Sequence, residues 1–303
     1  MEKHKDSRST DELIEAILAE EDEDKARKLL YVLQDRATTC DILDKVGALL
    51  NSEHPKRRTL GADILYGLKF RHPEYPFRQE ILEALLHRVP LEDDIDSLES
   101  LIYALGRMND DRTTQALVSF SHHPEWIVRL AVAREIPHDA EAAPKVLIDL
   151  SSDEDEDVRN WATFGLAQML DTDTPEIREA LLNRLHDEYD EIRGEALLGL
   201  ALRKDERVIE PLIQELANAH DAETLWDHII EAASEMPDPR MCVYLKRLYE
   251  KFEISSNTED YYKKAFEACF RALRLTIFGE SQVLEVVHVG QDLSEGNTYS
   301  VIR

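Results

Sequence analysis

A phrase that returns three times constrains this chain more than any other feature. It runs His123-Pro-Glu-Trp-Ile-Val-Arg-Leu-Ala-Val-Ala133, then Asp155-Glu-Asp-Val-Arg-Asn-Trp-Ala-Thr-Phe-Gly-Leu-Ala167, then Tyr189-Asp-Glu-Ile-Arg-Gly-Glu-Ala-Leu-Leu-Gly-Leu-Ala201. Each copy has a polar or acidic entry, Val or Ile, Arg, two free positions, then small and apolar residues. The arginines are Arg129, Arg159 and Arg193, 30 and 34 residues apart. A period in the range of about 20–50 residues is the mark of a stacked repeat array, in which each unit buries its apolar face against its neighbours. Such an architecture points to a binding scaffold before an enzyme.

The rest of the chain reads as alternating helices and turns. First helices are predicted over 41–51, 76–89, 112–121, 141–150, 175–186, 206–219 and 239–251. Second helices are predicted over 56–68, 96–108, 126–136, 157–170, 191–203, 223–236 and 260–275. Apolar residues recur at helical spacing, as in Ile177, Leu181 and Leu185, the signature of an amphipathic helix. Only 10 of 303 residues are Gly and 11 are Pro, few for a turn-rich β protein. Pro76, Pro175 and Pro239 suit first helical turns, where a missing N–H costs nothing. A helical segment over 10–34 is expected to cap the N-terminal end. The expected organisation is a helical cap over 1–40, a repeat array over 41–275 and a C-terminal tail over 276–303 that is extended or flexible. The tail holds the β-branched run Gln282-Val-Leu-Glu-Val-Val-His-Val289, which reads as extended chain.

The Val158-Arg159 phrase, the paired helices and the spacing resemble HEAT-like repeats of the type also found in the bilin-lyase repeat family. The resemblance is strongest over 123–203 and extends, weakened, from about Lys56 to about Leu275. It implies an all-α protein, a right-handed α-solenoid of about seven helix-turn-helix repeats. Two units depart from the pattern, with Leu98 and Trp226 at the arginine position. The repeat arginines are expected to be structural, bonding acidic groups or turn carbonyls of neighbouring repeats.

Composition narrows the partners. There are 63 acidic against 36 basic residues, a net charge of −27. That repels nucleic acid, where Lys and Arg supply the affinity, and anionic lipid. It favours a basic protein or peptide met by a fast, salt-sensitive encounter. No run approaches the roughly 18–20 apolar residues of a membrane span. Three cysteines without a CxxC argue against a disulfide framework, and the charged start lacks a signal peptide. The expected location is the cytoplasm.

Helix geometry places the non-core positions of the second helices on one side, which lines the concave surface in HEAT-like arrays. The candidate partner-binding residues there are Tyr103, Trp126, Trp161 and Phe164, followed by the carboxylates Glu156, Asp157, Asp190, Glu191, Glu195, Glu223, Asp227 and Glu231. Arg107 and Arg134 share that side. Trp and Tyr supply anchoring energy and carboxylates steer and select. A partner's Arg or Lys over Trp161 would add roughly 0.5–2 kcal/mol.

No catalytic residue, metal or cofactor is expected. HEAT-like hydroxylases bind iron through His-Glu pairs, and no His-Glu dipeptide occurs here. GxSxG is absent, and Gly is too sparse for phosphate loops. DNA-acting HEAT-like glycosylases pair Trp with Asp in a basic groove; Trp161 and Asp157 echo that, but the acidic surroundings oppose it. The expected function is non-enzymatic: a scaffold holding a basic protein or peptide, with an inhibitor or immunity-type protein as its specific version. The alternative is a lyase-type or modifying enzyme, or enzyme subunit, of the same family.

Overall fold

The polar residue that ends each turn usually starts the next helix. Ser9, Asp94, Asp110, Asp155 and Thr174 each stand before a helix with a side-chain oxygen accepting from a first-turn backbone N–H. Such a cap satisfies donors that the helix itself leaves unpaired. The computed structural model of the chain describes residues 6–36, 40–71, 77–108, 110–219, 227–251, 264–265 and 267–271. Glu223, Trp226 and the predicted tail over 276–303 lie outside the described residues, as does the side chain of Asp227.

The described residues are helical, with no strand among them. They form two compact units, one of residues 1–165 and 169–172, the other of 166–168 and 173–303. The first holds α1 (Thr10–Ala19) and α2 (Glu23–Arg36). Four helix pairs follow: α3 (Cys40–Leu50) with α4 (Pro55–Arg71), α5 (Arg78–Arg88) with α6 (Ile95–Gly106), α7 (Asp111–Phe120) with α8 (Trp126–Glu135), and α9 (Ala143–Leu150) with α10 (Glu156–Phe164). The second holds α11 (Pro175–Arg184) with α12 (Asp190–Leu202), α13 (Ile209–Asn218) with α14 (Asp227–Glu235), and α15 (Cys242–Lys251). Within the first unit the second helices stack in order, α4 on α6 on α8 on α10, and within the second α12 stacks on α14. Stacked helix pairs of this kind are the construction of an α-solenoid. The core of each unit is the apolar face between them, with Leu101, Ile102, Leu105, Val128, Val132 and Leu147 buried in one and Ile177, Leu181, Ile192, Leu200, Leu212 and Ile230 in the other.

Two local expectations need correction. Residues 10–34, predicted as one helical segment, are two helices. The chain turns extended at Glu20, and Asp22 restarts the helix by accepting from the Lys25 N–H at 3.1 Å. The second helix predicted over 157–170 is α-helical only to Phe164. Gly165–Met169 form a wider π turn, closed by Leu170 N–H donating to the Gly165 carbonyl at 3.1 Å. Such single π turns are rare and local.

The repeat arginine does the same work wherever it occurs. Its Nη1 donates to the two carbonyls six and five residues earlier, in the turn that precedes its own helix. For Arg129 these are His123 and Pro124, at 2.8 and 2.9 Å. For Arg159 they are Asp153 and Glu154, at 2.9 and 3.0 Å, and for Arg193 Asp187 and Glu188, at 2.9 and 3.2 Å. Arg58 is a fourth member, bonded to Ser52 and Glu53 at 3.0 and 3.1 Å. Arg58, Arg129 and Arg193 also reach a carboxylate of the following repeat, Glu92, Asp153 and Glu215 respectively. The forked guanidinium suits this double task. Leu98, at the same position in α6, is buried. There Ser97 makes the tie, donating to the Pro55 carbonyl at 3.1 Å beside the Thr59 hydroxyl.

A second ladder joins the first helices. Asp110-x-Arg112, Asp205-x-Arg207 and Asp238-x-Arg240 share one geometry, in which the arginine N–H and Nε both donate to the aspartate Oδ1. The fork's other arm reaches Glu83, Glu179 or Glu210 of the preceding pair, at 2.7, 2.6 and 2.5 Å. These bridges lie at the surface, where each contributes little; their regularity fixes the register of neighbouring pairs.

Candidate interaction surface

In the first unit the stacking of α4, α6, α8 and α10 brings their non-core side chains into one row. Tyr66 of α4 and Tyr103 of α6 meet edge to face, ring centroids 5.8 Å apart. Arg107 caps α6, lies 4.7 Å from the Tyr66 ring and donates to its hydroxyl at 2.6 Å. Arg134 of α8 lies 4.5 Å from the Trp161 ring and 5.3 Å from the Tyr103 ring, and donates to the Tyr103 hydroxyl at 3.1 Å. Trp161 and Phe164 of α10 stand edge to face at 5.6 Å. T-shaped pairing is the geometry that aromatic quadrupoles favour.

Three of the four predicted aromatics are thus drawn together through Arg134. Trp161 is exposed at 36% and Phe164 and Tyr103 are half-buried. Trp126 opens α8 and is exposed, about 12 Å of helix before Arg134. Glu156 and Asp157 are exposed in the first turn of α10. The cation expected over Trp161 is present, but it is the chain's own Arg134. Leu130, between Trp126 and Arg134 on α8, is buried.

Burial tunes the carboxyl and hydroxyl groups beneath the row. Desolvation pushes the Tyr103 hydroxyl up to about 12, against the lowering effect of Arg134. It also raises Glu99, which the Tyr103 hydroxyl partly offsets as a hydrogen-bond donor. Asp63 of α4 is raised to about 6 by burial, with Ser100 opposing.

The second unit departs further from the sequence reading. Asp190 and Glu191 are exposed in the first turn of α12 and Glu231 is half-buried on α14. Glu195, predicted as an exposed partner-binding carboxylate, is 6% exposed. Residues 194–201 of α12 are buried in a continuous run, because α14 and residues 166–168 cover the side that was expected to be open. Gln168 Nε2 donates to Glu195 at 2.6 Å, and His228 Nδ1 stands 3.5 Å away. Burial raises the Glu195 carboxyl, while Gln168 and His228 pull it down and Glu191 and Glu231 push it up. Glu195 is a buried acid bonded to Gln168 and beside His228 of α14, not a surface acid. Gly194 and Leu198 are covered with it.

Sequence reasoning placed Glu99 on the same side as Tyr103, passed over Tyr66 as part of the row, and missed that Arg107 and Arg134 lie across the rings. The signal was present in part, since Arg107 and Arg134 fall on the predicted side. Among the described residues no group of three or more His, Cys, Asp or Glu is placed to hold a metal ion. None of the described helices is long and apolar enough to cross a membrane.

A family model described as HEAT repeats matches residues 143–234. Over 123 residues the chain is 37% identical to protein YibA of Escherichia coli K12. That alignment covers 41% of this chain and 42% of the relative, so in sequence the chain spans less than half the length of the curated relatives it matches. The crystal structure of E. coli YibA superposes with a TM-score of 0.69 at 26% identity, covering 87% of this chain and 93% of that one. Kap95p, solved bound to RanGDP, superposes with a TM-score of 0.53 at 13% identity, over 94% of this chain and 44% of its own; that likeness shows the fold alone.

Proposed function

The chain is a HEAT-like repeat protein, and from that premise we propose that it works by binding another protein, without chemistry of its own. The partner is a basic protein or peptide, held on the side formed by the second helices. One observation carries this reading: a single helix, α10, presents Glu156 and Asp157 in its first turn and Trp161 and Phe164 further along, all exposed or half-exposed. Half-exposed aromatics supply anchoring area, and carboxylates beside them select for positive charge. The net charge of −27 supports the same sign of partner through long-range steering. Kap95p, which shares the fold, was solved with the protein RanGDP, so this construction is one on which proteins dock. The specific version is an inhibitor or immunity-type protein that covers a basic toxin or nuclease domain, motivated by the charge.

The test is affinity capture from the native source, comparing the wild-type chain with a Trp161→Ala/Glu156→Lys/Asp157→Lys variant. All three positions are exposed, so helical circular dichroism should be unchanged. The variant should recover its main captured protein at least about tenfold less, the loss expected of one interface anchor. Equal recovery by both proteins sinks the reading.

A further inference from the structure

Arg134 differs from the exposed arginines of the ladder that joins the first helices. Arg112, Arg207 and Arg240, equally exposed, each bond two carboxylates. Arg134 is exposed on α8, yet among the described residues no carboxylate lies within 4.0 Å of its guanidinium. With 63 acids in the sequence, a mobile arginine has many anionic partners to choose from. It lies instead on the Trp161 and Tyr103 rings. Phe164 holds the Trp161 ring edge-on at 83°, and the Tyr103 hydroxyl accepts from Nη1. Glu99, one turn before Tyr103 on α6, adds attraction for positive charge. Rings, hydroxyl and carboxylate together are a receptor for a planar cation, and the free chain fills it with its own side chain.

We propose that Tyr103, Trp161 and Glu99 form an arginine-reading subsite that Arg134 occupies in the unbound protein and that an arginine of the partner takes over by displacing it. This rests on the reading of the second-helix side as the binding surface for a basic partner, and names the group it reads. Exchange is cheap because like replaces like. The outgoing guanidinium swings into water, where it is well solvated, and an exposed cation–π contact is weak. Arginine is read over lysine because a planar guanidinium stacks on Trp and bonds the Tyr103 hydroxyl edge-on, which a compact ammonium cannot match. Arg134 thereby acts as a placeholder that lies over the Trp161 ring and lowers affinity for weak cations.

The test uses fluorescence anisotropy with two labelled peptides, one of nine arginines and one of nine lysines, against the full chain. Wild type should bind both in a salt-sensitive way and favour the arginine peptide. Arg134→Ala should tighten the arginine peptide about two- to fivefold, the strength of the contact removed. Arg112→Ala makes the same charge change away from the rings and should leave affinity unchanged. Trp161→Phe should keep part of the arginine preference and Trp161→Ala should abolish it. Weaker or equal binding by Arg134→Ala, or equal tightening by Arg112→Ala, overturns the subsite while leaving the basic-partner reading standing. Binding of neither peptide by wild type overturns both.

Discussion

At Arg129 one side chain closes a turn, reaches the next repeat and buries its own charge. Arg129 and Asp153 are 9% and 8% exposed, with a bidentate contact at 2.7 Å on each arm. Burial alone would raise Asp153, but hydrogen bonds from Arg129 and the Asp155 N–H outweigh it and hold the carboxyl below its ordinary range. A carboxyl whose folded pKa is depressed contributes stability above its unfolded pKa, about 3.9, and that contribution fades as pH falls through the folded value. Arg129→Met should therefore cost about 3–5 kcal/mol at neutral pH by leaving Asp153 buried without its bidentate partner, measured by urea unfolding. Its stability should also fall less between pH 5 and 3 than that of wild type. Glu195 has the opposite sign. Its folded pKa is raised, so its fold-dependent stability is full below the unfolded value of about 4.3 and is lost as pH rises through the folded one. Glu195→Gln keeps the Gln168 contact and should melt higher than wild type at pH 7, with a flatter melting curve from pH 4 to 8. A variant that melts lower at pH 7 would show that ionised Glu195 is needed for its His228 neighbour.

Among elements, the closeness of α12 to its neighbours explains both the buried acid and the limits on substitution. A Cβ built on Gly199 would sit 2.7 Å from the Ala167 Cβ and 2.8 Å from its Cα. Backbone lies against the glycine, so relief requires a helix shift. Gly199→Ala should cost about 1–3 kcal/mol despite the better helix propensity of alanine. Gly47 of α3 has nothing within 4 Å of the same position, and Gly47→Ala should gain up to about 1 kcal/mol. Paired denaturation midpoints check the contrast. The helices themselves were legible from period and caps, with ends within a few residues. The π turn at 165–169 was not, because Gly165-Leu-Ala-Gln-Met169 carries no pattern that separates a wider turn from the ordinary one.

For the whole molecule, the net charge of −27 acts with opposite sign on stability and on binding. Self-repulsion opposes the folded state, and screening relieves it. Raising salt from about 0.02 to 0.15 M shortens the screening length from over 20 to about 8 Å. The melting temperature should rise while capture of a basic partner weakens several-fold. A capture strength indifferent to salt would mean that the aromatics, not the carboxylates, hold the partner.

The repeat phrase determined the paired helices, the structural use of Arg129, Arg159 and Arg193, and the sidedness of Tyr103, Trp161 and Phe164. These follow from local rules: helical periodicity, capping, and an arginine fork within reach of its own turn. Only the tertiary structure decided that Glu195 and Leu198 are covered while Glu191 stays open, and that Arg134 occupies the Trp161 ring. Periodicity says which way a side chain points; it does not say how near the next helix comes. That distance is set by small residues such as Gly199 against Ala167. Whether an arginine finds a carboxylate or a ring depends on partners 27 to 31 residues away in sequence, which only packing brings within a few ångströms.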